Sequence, residues 1–292
     1  MLEESFPDAD ESGIMGPAVP KRMESEKMRL CSIASGSSGN CIYVGSEAAH
    51  LLVDVGISGR KTEAGLKELE LSGKDIDGIL ITHEHADHIQ GLGVIARKYE
   101  IPIYATAGTI AAMQTCAGLG NVDPELYHEV REDQKFTIKD LTINPMRISH
   151  DAAQPTAFVL RQGRKSMGVM TDLGRYDGYI VERLQNLDVL LLEANHDVHM
   201  LQVGTYPYYL KQRILGDKGH LSNELSGQLL GEVLHDNFKM AILGHLSKEN
   251  NYEKLAYETV RLEIDMADNP YHAGDFPIHV AKRDQVSDVI EF

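Results

Sequence analysis

Apolar residues recur along this chain in two rhythms, and the changes of rhythm mark out its elements. Short runs rich in Val, Ile and Leu, closed by Gly, Asp, Asn or His, predict strands at 28–35, 41–45, 50–56, 78–83, 101–106, 141–150, 156–162, 166–172 and 189–195. Helical spacing predicts amphipathic helices at 61–72, 88–100, 107–119, 176–186, 223–236 and 251–264. A second strand group follows at 240–245 and 276–281. Sheets covered by helices on their outer faces suit this order. No internal repeat and no linker interrupts it, so a single domain is expected over 28–292.

Residues 1–27 have no sustained apolar period and mix acidic residues with Gly and Pro. They are expected to form a disordered acidic tail, because they bury too little to offset the entropy of ordering. The 292 residues, 42% of them apolar, are enough for a substantial core. With 28 basic against 44 acidic residues, the formal charge of −16 is opposite to that of a protein that coats nucleic acid. Any nucleic-acid contact should therefore be local. Cys31, Cys41 and Cys116 form no CxxC pair and are expected as ordinary thiols, which fits a reducing compartment. No stretch approaches the ~18 apolar residues of a membrane span, and the N-terminus has no signal-peptide pattern, so a cytoplasmic setting without membrane contact is expected. Oligomeric state is not legible.

The segment "ITHEHADHIQGL" (81–92) crowds His83, His85, Asp87 and His88 behind an apolar strand. In extended chain His83 and His85 share a face, and a turn brings Asp87 and His88 round the same pocket. Imidazole and carboxylate at this spacing suit zinc, manganese or iron. One loop rarely completes such a site, and His150, Asp172 and His245 each close another predicted strand.

Asp54 in "LLVDVG", "THEHADH", His150, Asp172 and a late His follow one another in an order that resembles the metallo-β-lactamase-fold hydrolases. "ASGSSGNCIYV", "TDLG", "LLEANHD", "KQRILGDKGHLSN" and "LGHLSKENN" narrow the resemblance to the WalJ (YycJ) type, allied to the nuclease branch that includes ribonuclease Z. The resemblance implies a four-layer αββα sandwich with two divalent transition-metal ions per chain, zinc or manganese with iron as a third option. It implies His83, His85 and His150 on one ion, Asp87, His88 and His245 on the other, and Asp172 bridging. Asp54 is expected beside the cluster, orienting ligand imidazoles. A hydroxide shared by the ions would be the nucleophile.

In ribonuclease-Z-like enzymes a His and a Glu lie beside the departing oxygen; His220 and Glu193 match them, giving His220 as proton donor, with Glu193 either orienting it or satisfying buried backbone. Ser35, Gly36, Ser37, Ser38, Gly39 and Asn40 form a Gly/Ser turn read as a phosphate-binding nest, or as a plain hairpin turn. His196 is given no metal. "KQR" (211–213) reads as a solvated helix face, and the tyrosines of "TYPYYL" (205–210) as core rather than a surface on which bases stack. The expected activity is a metal-dependent phosphodiesterase, a nuclease with exonuclease behaviour acting on DNA ahead of RNA. The rivals are a thioester or lactone hydrolase and a metal-containing regulatory protein without turnover.

Overall fold

A computed structural model describes residues 26–292. The expected tail lies outside the described residues except for Glu26 and Lys27, and Lys27 Nζ pairs with Glu291 Oε1 at 2.6 Å. Along the first half run β1 (Arg29–Ala34), β2 (Cys41–Gly45), β3 (His50–Val53), α1 (Gly59–Glu68), β4 (Gly78–Leu80), α2 (Ala86–Ile89), α3 (Leu92–Tyr99), β5 (Ile103–Thr106), α4 (Ala107–Thr115) and β6 (Tyr127–Val130). The second half runs β7 (Phe136–Ile138), β8 (Leu141–Arg147), β9 (Thr156–Gln162), β10 (Lys165–Met170), α5 (Gly178–Leu184), β11 (Val189–Glu193), α6 (Val198–Val203), α7 (Tyr208–Leu215), α8 (Asn223–Val233), β12 (Met240–Gly244), α9 (Glu253–Met266), β13 (Ile278–Val280) and β14 (Ile290–Glu291).

The strands form two seven-stranded sheets, ordered β14-β1-β2-β3-β4-β5-β6 and β13-β12-β11-β10-β9-β8-β7. Each joins an antiparallel part to a parallel part: β3 to β6 are parallel in the first sheet, β10 to β13 in the second. The sequence of β11, VLLLE, shows why such strands read as unbroken apolar runs. Val189 and Leu191 pack between the sheets with Ile42, Leu51 and Phe158, while Leu190 and Leu192 pack under helices with Leu229 and Val260. A third cluster, including Leu66, Leu92, Ile95 and Ile79, joins the first sheet to its own helices. The result is the expected αββα sandwich. Full burial of each aliphatic side chain contributes about 1.5–3 kcal/mol, so Leu191→Ala, which also opens a cavity, should cost ~2–5 kcal/mol.

The helix expected at 88–100 is two helices, broken at Gly91. Gly91 N donates to Val55 O at 2.8 Å, and a Cβ there would overlap the Ile57 carbonyl. Backbone approach to the turn after β3 therefore sets α2 apart and fixes the direction of Asp87 and His88. Cys31 and Cys41 are buried thiols; Cys31 pairs in register with Tyr43, and Cys41 with Ala34. Beyond β3, β10 and β12 the chain leaves through three residues with left-handed backbone: Asp54 (φ 61°), Asp172 (φ 58°) and His245 (φ 56°).

Candidate metal centre

The polar ends of β3, β4, β8, β10, β11 and β12 meet at one edge of the sandwich. His83 follows β4, His85 precedes α2, and Asp87 and His88 lie within it. His150 follows β8, Asp172 follows β10, Glu193 ends β11 and His245 follows β12. Rigid strands thus carry donors from distant parts of the chain to one point.

Two groups of three donors, His83 with His85 and His150, and Asp87 with His88 and His245, each have ligand atoms within 4.8 Å of one another. Asp172 falls between: its Oδ2 is 3.0 Å from His88 Nε2 and 3.6 Å from His245 Nε2, and its Oδ1 is 3.6 Å from His150 Nε2. His85 Nδ1 is 3.0 Å from His83 Nε2 and 3.2 Å from His150 Nε2. Ligand atoms on one tetrahedral zinc stand about 3.3 Å apart, so these spacings suit a shared cation.

The outer ring nitrogens are anchored. His88 Nδ1 donates to Asp54 Oδ2 at 2.8 Å, His150 Nδ1 donates to Gly219 O at 3.1 Å, and His245 Nδ1 donates to Glu193 Oε1 at 2.7 Å. Each bond fixes a tautomer and leaves Nε2 for an ion. Among the described residues, His245 Nε2 and Asp172 Oδ2 are buried without a hydrogen-bond partner, although His88 stands near the latter at poor angles. Buried polar atoms left without partners are costly, and a bound cation would satisfy both. The donor set therefore fits divalent metal.

The charges agree. Burial would raise the carboxyl pKa of Asp172, yet His245 and His88 hold it well below the ordinary range; Asp87 is likewise lowered, by His88 and His245 against burial. Burial opposes charge on His245, but Asp172, Asp87 and Glu193 lift its pKa to about 10. The carboxylates thus draw protons onto His88 and His245, whereas burial pushes His83 and His150 toward the neutral form, so protons and metal compete chiefly at the first pair.

Asp54 sits beside the cluster rather than in either group of donors. Its Oδ1 accepts from Thr82 N at 2.9 Å, and its Oδ2 from Thr82 Oγ1 at 2.8 Å as well as from His88. Glu193 touches both kinds of partner, imidazole and buried backbone. Oε1 receives His220 Nδ1 at 2.8 Å and His245 Nδ1 at 2.7 Å, while Oε2 receives Leu173 N at 2.8 Å and Leu221 N at 3.2 Å. Burial resists charge on Glu193, but His220 and His245 pull its pKa down to about 2. His220 is 14% exposed, and against burial its pKa is raised by Glu193 and Asp172.

The Gly/Ser turn faces largely inward. Ser35 Oγ accepts from His245 N at 2.9 Å; Asn40 Nδ2 stands 3.2 Å from His88 Nε2, and Asn40 N donates to Asp87 O at 2.8 Å. Gly36 and Gly39 are buried too, leaving Ser37 and Ser38 as the exposed pair. The turn is thus tied to the candidate ligands, and only two of its six residues face solvent. His196 is buried, joins none of the donor groups, and has its pKa lowered by burial to about 4. Sequence reasoning missed Thr82, whose signal was its place inside "THEHADH", and Asn195, whose Nδ2 donates to His245 O at 2.9 Å.

The beta-lactamase superfamily domain pattern matches residues 50–234. Exodeoxyribonuclease WalJ of Streptococcus pneumoniae is 43% identical over 236 residues, 81% of this chain and 88% of that protein. Exodeoxyribonuclease YycJ of Bacillus anthracis is 40% identical over 248 residues, 85% of this chain and 92% of that one. Among solved structures, the metallo-beta-lactamase fold protein YhfI of Bacillus subtilis superposes with a TM-score of 0.64 at 18% identity, covering 92% of this chain and all of that one, a likeness of fold. The chain belongs to the beta-lactamase superfamily, has the metallo-β-lactamase fold of its metal-dependent hydrolases, and falls in the family of WalJ and YycJ.

Proposed function

We propose that this protein is a metal-dependent exodeoxyribonuclease. His83, His85 and His150 would hold one divalent ion and Asp87, His88 and His245 a second, with Asp172 between them; zinc and manganese suit these donors best, and iron also fits. Such ions lower the pKa of water and neutralise charge on a phosphoryl group.

The chain's own residues supply the rest. The observation that carries the reading is Glu193 Oε1 on His220 Nδ1 at 2.8 Å. Glu193 fixes the imidazole and favours its protonated form, leaving Nε2 as the donor to a departing alkoxide. An alkoxide leaving a phosphodiester needs that proton, whereas a thiolate leaving a thioester does not. Ser37 and Ser38 offer exposed hydroxyls to a neighbouring phosphate. The names of the two relatives support DNA as the substrate. Free Cys31, Cys41 and Cys116 support a cytoplasmic setting, and among the described residues no helix is long and apolar enough to cross a membrane.

The test is metal-loaded protein on end-labelled DNA and RNA beside thioester and lactone panels. Stepwise shortening of DNA is expected. Turnover of a small ester with DNA untouched would overturn the proposal.

A further inference from the structure

The tyrosines of "TYPYYL" were expected in the core, yet Tyr208 and Tyr209 are 76% and 74% exposed at the start of α7. The other end of that helix reaches the candidate metal centre. Ile214 O accepts from His220 N at 3.1 Å, and Gly219, just beyond, receives His150 Nδ1. Tyr209 and Arg213 are four residues apart and so lie on one helix face, about 5–6 Å between Cβ atoms.

Among the described residues, Arg213 is held on one edge only. Its Nε and Nη2 donate to Asp151 Oδ2 and Oδ1 at 2.5 and 2.9 Å, and Asp151 is next in sequence to His150. Two of five guanidinium N–H groups are thereby used and three stay available, with the side chain 46% exposed. Lys211, the other cation on α7, is engaged by the carbonyls of Gln202 and Gly204, both at 2.7 Å.

We propose that α7 is the landing strip for a single-stranded DNA end, with a base stacked on Tyr209 and, one helix turn along, a backbone phosphate on the free edge of Arg213, whose partner Asp151 adjoins His150. The inference rests on the nuclease reading and deepens it. A flat aromatic face binds any unpaired base, and a guanidinium fork pre-set by a carboxylate suits phosphate; together they let a strongly acidic protein take a polyanion locally.

The chain contains no tryptophan, so Tyr209→Trp places a single indole reporter at the spot. Metal-loaded full chain carrying it is titrated with a phosphorothioate-blocked thymidine oligonucleotide and with an abasic strand of equal length. Quenching by the thymidine strand but not the abasic one is expected. Tyr209→Ala should weaken binding of the base-bearing strand about tenfold and leave the abasic strand unaffected. Arg213→Gln should weaken both and reduce the salt slope by about one phosphate contact. Equal quenching by the two strands, or none, overturns the proposal. DNA turnover without quenching defeats this docking alone; quenching without turnover keeps the docking and defeats the hydrolytic reading.

Discussion

Glu193 ties His220 to His245: one carboxylate oxygen receives His220 Nδ1 at 2.8 Å and His245 Nδ1 at 2.7 Å. The two histidines have different tasks in the proposed chemistry, so variants at the two ends of this link should differ. His220→Ala should keep its metal and cut ordinary phosphodiester ~10²–10⁴-fold more slowly, with a far smaller loss on bis(p-nitrophenyl) phosphate, whose leaving group needs no proton. Glu193→Gln should slow both substrates, because it also releases His245 and leaves Leu173 N and Leu221 N facing an amide. Rates on both substrates, with metal content measured for each preparation, make the comparison. Equal losses for His220→Ala on the two substrates would defeat the proton-donor role.

If the seven proposed donors, which fall in overlapping groups, act as two triads with Asp172 between them, the protein should take up close to two transition-metal ions per chain, read by elemental analysis after reconstitution. Metal that binds only the folded state stabilises it by about 2.7 kcal/mol at a hundred times Kd. Chelation should therefore lower Tm, and added zinc or manganese should restore it. A ratio that never exceeds one ion per chain would sink the dinuclear assignment.

Asp54→Asn should weaken metal binding about 10–100-fold, the usual effect of removing a carboxylate behind a ligand imidazole. The loss should fall on the Asp87, His88 and His245 side, because Asp54 touches His88. Metal titration that shows one weakened and one unchanged site is the expected result.

Removing residues 1–27 should leave stability nearly intact. The pairs that it deletes, Lys27 with Glu291 and Glu26 with Arg164, lie at the surface, where solvent screens them and they contribute little. Cutting on to residue 30 is a different matter, because Met28 and Leu30 are fully buried between the sheets, and Met28 and Phe292 exchange two backbone hydrogen bonds, each 3.1 Å. Burial of each side chain contributes about 1.5–3 kcal/mol, so Tm should fall sharply between the two truncations.

The αββα order was legible because buried parallel strands print unbroken apolar runs, and "THEHADH" because its donors lie within one turn of each other. What escaped depends on distance along the chain or on weak local signal. The two bonds from Glu193 Oε1 span 27 and 52 residues, and no local pattern announces them. The edge strands β6 and β7 are only four and three residues long. The Gly- and Pro-bearing stretch of α6 and α7 has no clean period, and α7 buries Ile214 alone, so its tyrosines read as core although Tyr208 and Tyr209 stay largely exposed among the described residues.

Asp54, Asp172 and His245 each turn the chain out of a strand through left-handed backbone. Most side chains resist that conformation, at about 1–3 kcal/mol, while Asp, Asn, His and Gly accept it more readily. The residues that tolerate the bend include the very ones that can serve a metal. Backbone and chemistry thus favour overlapping residue types at these three bends, a preference rather than a rule, since Glu70, Glu100 and Lys139 adopt the same left-handed backbone elsewhere in the chain. A candidate ligand at one of these bends, Asp172 or His245, therefore has a backbone reason for its residue type that His83 and His150 lack.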